Sequence, residues 1–305
     1  MTNSKPEDSS ARMERALLSL DGLSVGDAFG ERFFLPARAA MEMVARRQTV
    51  PPPWNYTDDT EMALGIVQVL EAHGRIDQDA LAQVFGVRYR DNRYRGYGGT
   101  AHDILEALHQ GEPWRKVSAQ VFGGEGSKGN GGAMRVAPLG AYFADDLNRV
   151  VSEARASAEV THFHPEGQAG AISIAVAAAW AAQWPKTREP SSRLFELVLE
   201  HTPRGATRRG VEKARALPLE TSPVAAAKAL GSGERVISED TVPFSVWCAA
   251  RHLENYEEAL WATVSGLGDR DTTCAIVGGI VALSAGRASI PTAWFEARER
   301  LKLRA

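Results

Sequence analysis

A chain of 305 residues with 44% apolar and 24% charged side chains can bury a large core. A formal net charge of −3, with Lys and Arg scattered along the chain, leaves no basic footprint and argues against nucleic acid as a partner. Every apolar run is interrupted well short of a membrane span, and residues 1–10 lack the apolar core of a signal peptide, so a cytoplasmic monomer with no membrane partner is expected.

No Pro/Ser/Gly-rich linker divides the chain, which predicts a disordered tail over residues 1–10 and one helical domain over 11–305. From residue 11, Met13, Ala16, Leu17 and Leu20 mark a helix that leads into Gly22, Gly26 and Gly30. Glycines in that pattern serve either tight helix packing or ligand contact. A short helix over 37–47 gives way to Pro51-Pro52-Pro53, a stiff extended approach. Trp54 and Tyr56 follow, as walls of a site or as core.

Thr57-Asp58-Asp59-Thr60 comes next, directly before Ala63, Ile66, Val67 and Leu70 at helical spacing, with Gly74 as the stop. Asp77 caps a helix over 79–90. The stretch Tyr89, Arg90, Asp91, Arg93, Tyr94, Arg95, Tyr97, with Gly96, Gly98 and Gly99, reads as a loop. Tyr97 and Gly98 would there meet a base or a pyrophosphate; a solvated loop tip is the alternative.

A helix over 100–108 precedes residues 123–132, six of which are glycine. Backbone amides in such a loop, at a helix start, form an anion site. No GK[ST] follows, so it is not a Walker motif. Thr161-His162 closes a helix from residue 147 and precedes a strongly apolar one over 169–184; His162 and His164 suit hydrogen bonding at a helix end better than zinc. Residues 191–231 read as amphipathic scaffold. Cys248 and Cys274 have no CxxC spacing and read as reduced core thiols.

Asp269-Arg270-Asp271-Thr272-Thr273 repeats the earlier acid cluster, again before an apolar helical run, Ile276, Val277, Ile280 and Val281. Helix capping accounts for one oxygen-bearing side chain at each start. Each start offers four or five. Carboxylates held close together repel unless a proton or a cation lies between them. With no Cys or His in either cluster, the cation would be magnesium, manganese or calcium rather than zinc, and four aspartates suffice for two ions.

Five motifs in order resemble the ADP-ribosylglycohydrolase family: Gly22-Leu23-Ser24-Val25-Gly26-Asp27-Ala28-Phe29-Gly30, the cluster at Thr57, the loop Gly129-Asn130-Gly131-Gly132-Ala133-Met134-Arg135, the pair Thr161-His162, and the cluster at Asp269. They span nearly the whole chain. The resemblance implies an all-α, single-domain orthogonal multi-helix bundle, in agreement with the dozen helical segments and the lack of alternating strands. It also implies two Mg2+ or Mn2+ ions on Thr57, Asp58, Asp59, Asp269, Asp271 and Thr272, with Asp58 or Asp59 as catalytic base. Asp27 is then an acid close beside the ions. Gly129, Asn130, Gly131, Gly132, Met134 and His162 then contact phosphates and ribose.

Two positions depart from that pattern. Relatives commonly carry a glutamate four residues after the glycine matching Gly30, where this chain has Phe34; Glu31 lies three residues earlier. A small residue usually separates the late aspartates, where this chain has Arg270, which neutralises carboxylate charge, reaches a phosphate or points to solvent. The expected activity is metal-dependent hydrolysis of the glycosidic bond at the anomeric carbon of ADP-ribose, on a modified protein or a small-molecule conjugate, with the linkage left open. The rivals are a silent ADP-ribose-binding relative and a two-metal pyrophosphohydrolase.

Overall fold

Gly22, Gly26 and Gly30 recur every four residues, which places them on one face of a helix. In the computed structural model, which describes residues 9–303, the first helix runs unbroken through all three, from Ser9 to Glu31. Its partner is the late helix Arg270–Ala285, laid antiparallel along that face. A Cβ on Gly26 would stand 2.2 Å from the Cys274 carbonyl oxygen, and one on Gly22 2.4 Å from that of Gly278. Tight helix packing is therefore what these glycines provide. It sets the start of the late helix beside the end of the first, with Gly30 against Arg270.

Of the tail expected over residues 1–10, residues 1–8 lie outside the described residues, and Ser9 and Ser10 already belong to the first helix. The described residues hold seventeen α-helices and one 3-10 turn, with no strand and two isolated bridges, Trp54 with Arg298 and Gly129 with Ile237. The all-α expectation holds. No helix among them is long and apolar enough to cross a membrane.

The centre is the helix Pro165–Thr187, buried on nearly every side along an Ala-rich run and packed by Arg270–Ala285, Leu147–Glu159 and Ser238–Arg251. Small side chains let these backbones approach closely, as Gly140 shows, where a Cβ would stand 2.1 Å from the Ala175 carbonyl oxygen. A second anchor is aromatic. Phe29 of the first helix stacks on Trp294 with centroids 4.5 Å apart and meets Trp261 edge-on at 5.0 Å, contacts of about 0.5–1.5 kcal/mol each beyond area burial. Trp54 joins this cluster and Tyr56 is equally buried, so both are core. Cys248 and Cys274 are free, buried thiols.

Candidate active site

The helix Asp58–His73 starts at Thr57, and its first turn carries Asp58, Asp59 and Glu61. Thr57 makes no side-chain cap to that helix. Its hydroxyl instead donates to Asp27 at 2.9 Å and lies 2.8 Å from Asp59 Oδ2. Asp27, fully buried on the first helix, also accepts from the Thr57 and Thr60 amides at 3.0 and 3.1 Å and from the Thr60 hydroxyl. It fixes the start of the acid-bearing helix from below and does not line the cleft. The Thr60 contribution was legible only as spacing, since Thr57 and Thr60 are three apart and share a helix face.

The second cluster opens Arg270–Ala285, and Asp269 likewise makes no side-chain cap. Asn130 of the glycine loop donates to Asp269 Oδ2 at 2.6 Å and to the Thr241 hydroxyl at 3.0 Å. Loop and acid cluster are thereby joined across more than a hundred residues of sequence. Thr241 carried no signal of its own, because its importance comes only from the neighbour the fold gives it.

These carboxylates do not sit comfortably. Burial, with Asp27 and Asp269 adding repulsion, pushes Asp58 up to about 8. Burial also raises Asp27 to about 6, though four hydrogen bonds from Thr57 and Thr60 work against it. Asp59 and Asp271 are driven well above the ordinary carboxylate range, by burial first and neighbouring aspartates second. One buried oxygen, Asp59 Oδ1, has no hydrogen-bond partner at all. An orphaned carboxylate oxygen among repelling acids is the chemistry of a hard-cation site. As the side chains stand, no three acids or histidines among the described residues converge on one point at ligand distance.

A cleft of about 870 Å³ opens over the two clusters. Asp58, Asp269, Asp271, Thr57 and Thr272 line it, together with Gly129, Asn130, Gly131, Met134, His162 and Gly98. Two positions expected to touch substrate lie elsewhere, while Asp27, expected close beside the ions, is beneath the cluster. Gly132 backs onto Ala158 and Ala171. Tyr97 is buried and packs edge-on against Tyr89 at 5.3 Å, so its ring has no face to offer a base. The loop that carries it is anchored rather than free: the Arg95 carbonyl accepts from the Asp58 amide at 2.8 Å, and its guanidinium covers the Tyr56 ring at 4.0 Å.

The glycine loop is held in place by Ser238, whose amide donates to the Lys128 carbonyl at 3.1 Å and whose hydroxyl donates to that of Gly129 at 3.0 Å. Gly126 takes φ +76°, and a Cβ there would meet the His164 nitrogen at 2.6 Å, so glycine is required twice over. The expected helix start is a single turn, Gly131–Met134. His164 Nδ1 accepts from the Glu166 amide at 3.0 Å and caps the central helix, the hydrogen-bonding role its position suggested.

Glu31 ends the first helix on the cleft wall, raised in pKa by burial and partly held down by Arg32. Phe34 stands at the mouth, 49% exposed. Arg270 donates to the Phe33 carbonyl at 2.7 Å and lies over the Phe34 ring at 5.1 Å, bracing that mouth.

The chain has relatives among known proteins. The family model for ADP-ribosylglycohydrolase matches residues 8–305. The chain is 30% identical over 275 residues to the ADP-ribosylhydrolase ARH3 of Bos taurus, covering 80% of this chain and 74% of that one. It is 25% identical over 317 residues to the ADP-ribosylarginine hydrolase Tri1 of Serratia proteamaculans, covering 96% and 80%. A solved structure described as an ADP-ribosylglycohydrolase-related protein complex superposes with a TM-score of 0.65 at 25% identity, over 95% of this chain and 94% of that one. With the model matched along nearly all its length, this chain belongs to the ADP-ribosylglycohydrolase family.

Proposed function

We propose that the cleft hydrolyses the glycosidic bond at the anomeric carbon of ADP-ribose, freeing it from a modified side chain or a small-molecule conjugate. The observation that carries this is the meeting of the two acid clusters, about two-thirds of the chain apart in sequence, with a glycine loop tied to one of them through Asn130 and Asp269. The family and the names of the relatives support the substrate class.

Thr57, Asp58, Asp59, Asp269, Asp271 and Thr272 would hold two Mg2+ or Mn2+ ions, for which their oxygen donors and the orphaned Asp59 Oδ1 are suited. Such ions, when bound, supply positive charge that fixes ribose hydroxyls and lowers the pKa of water. Asp58 faces the cleft while Asp59 lies beneath it against Thr57, which makes Asp58 the better placed to accept a proton from attacking water. The water oxygen bonds to the anomeric carbon, the bond to the acceptor nitrogen or oxygen breaks, and the leaving atom takes up a proton. Glu31 lines the cleft next to Gly30, which packs against Arg270 and Asp271, and its raised pKa suits a proton donor. Gly129, Asn130, Gly131 and His162 hold the pyrophosphate and its adjoining sugar.

Incubation with arginine- and serine-ADP-ribosylated peptides, with magnesium or with chelator, and mass spectrometry of the products tests this reading. Metal-dependent release of intact ADP-ribose is expected, and the peptide cleaved names the linkage. AMP with ribose phosphate would replace glycosidic with pyrophosphate cleavage. Binding of ADP-ribose without turnover would make the chain a silent binder.

A further inference from the structure

His162 faces the cleft with one ring edge and is tethered by the other. Its Nδ1 lies 2.7 Å from the hydroxyl of the preceding residue, Thr161. That hydroxyl is itself 2.9 Å from Arg135 Nη2, which also donates to the Ser157 carbonyl at 3.0 Å. Arg135 is fully buried, with its guanidinium carbon 4.7 Å from the centre of the Phe85 ring and Nη1 3.6 Å from the Met62 sulfur. A buried guanidinium with so few acceptors is there to hold something.

The direction of each bond follows from proton inventory. A guanidinium has only donors, so the Thr161 oxygen accepts from Arg135. The Thr161 hydroxyl has one proton to place, and the other hydrogen-bond partner of its oxygen among the described residues is His162 Nδ1, so satisfying that proton requires Nδ1 to accept. Nδ1 therefore carries a lone pair, and the ring proton of a neutral imidazole resides on Nε2. We infer that Arg135 and Thr161 form a positioning relay that locks His162 as its Nε2–H tautomer, giving the cleft a hydrogen-bond donor for a ligand oxygen.

Two further features agree. Nε2 lies against the glycine loop, since a Cβ on Gly131 would stand 3.0 Å from it and one on Gly129 3.2 Å. Only glycines leave that edge of the ring open to a ligand. Burial, with the nearby Arg135 charge, pushes His162 down to about 3, while Arg135, lowered by burial to about 9, keeps its charge at neutral pH. A neutral donor beside the loop holds an oxyanion by a directed hydrogen bond and needs no counterion of its own. That the oxyanion belongs to ADP-ribose rests on the function proposed above; the relay itself does not.

Nitrogen-15 NMR of the histidine side chains in the ligand-free protein reads the tautomer directly, with His162→Gln assigning the signal. A protonated Nε2 and an unprotonated Nδ1 are expected at neutral pH. Thr161→Val should lose that single-tautomer signature, and Thr161→Ser should keep it. An Nδ1–H tautomer or an imidazolium in the parent protein overturns the inference, as does an unchanged signature in Thr161→Val. Calorimetry with ADP-ribose should show roughly tenfold weaker binding in Thr161→Val and near-parent binding in Thr161→Ser. Equal weakening in both removes the relay from ligand binding. Absence of ADP-ribose binding in the parent protein, with the expected tautomer in place, sinks the functional reading and leaves the relay standing.

Discussion

Two parts of this molecule place carboxylates at helix starts, and they do opposite things. Glu166 reaches the start of the helix Ala206–Ala216 and accepts from the Ala206 amide at 2.6 Å and from the Thr207 amide and hydroxyl at 2.8 and 2.7 Å. Burial works against its charge, but those hydrogen bonds outweigh burial and hold its pKa below the ordinary value. At Asp58–His73 and Arg270–Ala285, burial and mutual repulsion raise the pKa values of Asp58, Asp59 and Asp271, and one Asp59 oxygen goes unpartnered. Fully satisfied donors and acceptors build a stable joint. Surplus like charge costs stability and is retained where chemistry needs it.

Asp58→Asn or Asp59→Asn should break the acid side of this comparison most visibly. Each is expected to lower ADP-ribose release by about 10³-fold or more in a product assay. The same variants should melt at a higher temperature than the parent in chelator, because repulsion is relieved. A lower melting temperature in both would mean that the cluster stabilises the fold and is not strained.

Gly26→Ala tests whether the acid site depends on the helix pair beneath it. The added methyl meets the Cys274 carbonyl, and a loss of about 3 kcal/mol in denaturant unfolding is expected as the first helix shifts and carries Asp27 from Thr57. Glu166→Gln should cost about 1–2 kcal/mol through its weakened bonds to Ala206 and Thr207, with turnover near that of the parent.

Titration separates the two regions by sign. Asp27 and Asp58 have raised folded-state pKa values, so their contribution is fully present below the unfolded pKa and is lost as pH rises through about 6 and about 8. Glu166 is depressed, so its contribution is present above the unfolded value and is lost as pH falls through the folded one. The cation-free protein should therefore melt lower at pH 8 than at pH 5.5 in chelator, by circular dichroism. Magnesium should raise the melting temperature more at pH 8 than at pH 5.5. An equal or absent magnesium effect at both values would remove the cation from the cluster.

Much of the site was legible because motifs are local. Asp58 and Asp59 are adjacent, the late aspartates are two apart, and the apolar spacing that follows each pair sets it at a helix start. The glycine loop and the Thr161-His162 pair were visible in the same way. Tyr97 was misplaced because composition cannot tell a ring exposed on a loop from one packed against Tyr89 and His102. For Gly22, Gly26 and Gly30 the pattern leaves tight packing and ligand contact open, and only the close approach of Arg270–Ala285 decides for packing, in a helix unbroken through Glu31.

By itself the sequence determined the helical class, the oxygen-rich character of the two clusters and the family. Those properties depend on residue type and on spacing within a turn or two, which survive without knowledge of distant neighbours. Only the tertiary structure decided that Asp27 works from below, that Asn130 joins the glycine loop to Asp269, that Glu31 reaches the cleft, and that Arg135 lies behind His162. Each of those is a contact between segments far apart in the chain, fixed by which helix faces pack together rather than by any local pattern.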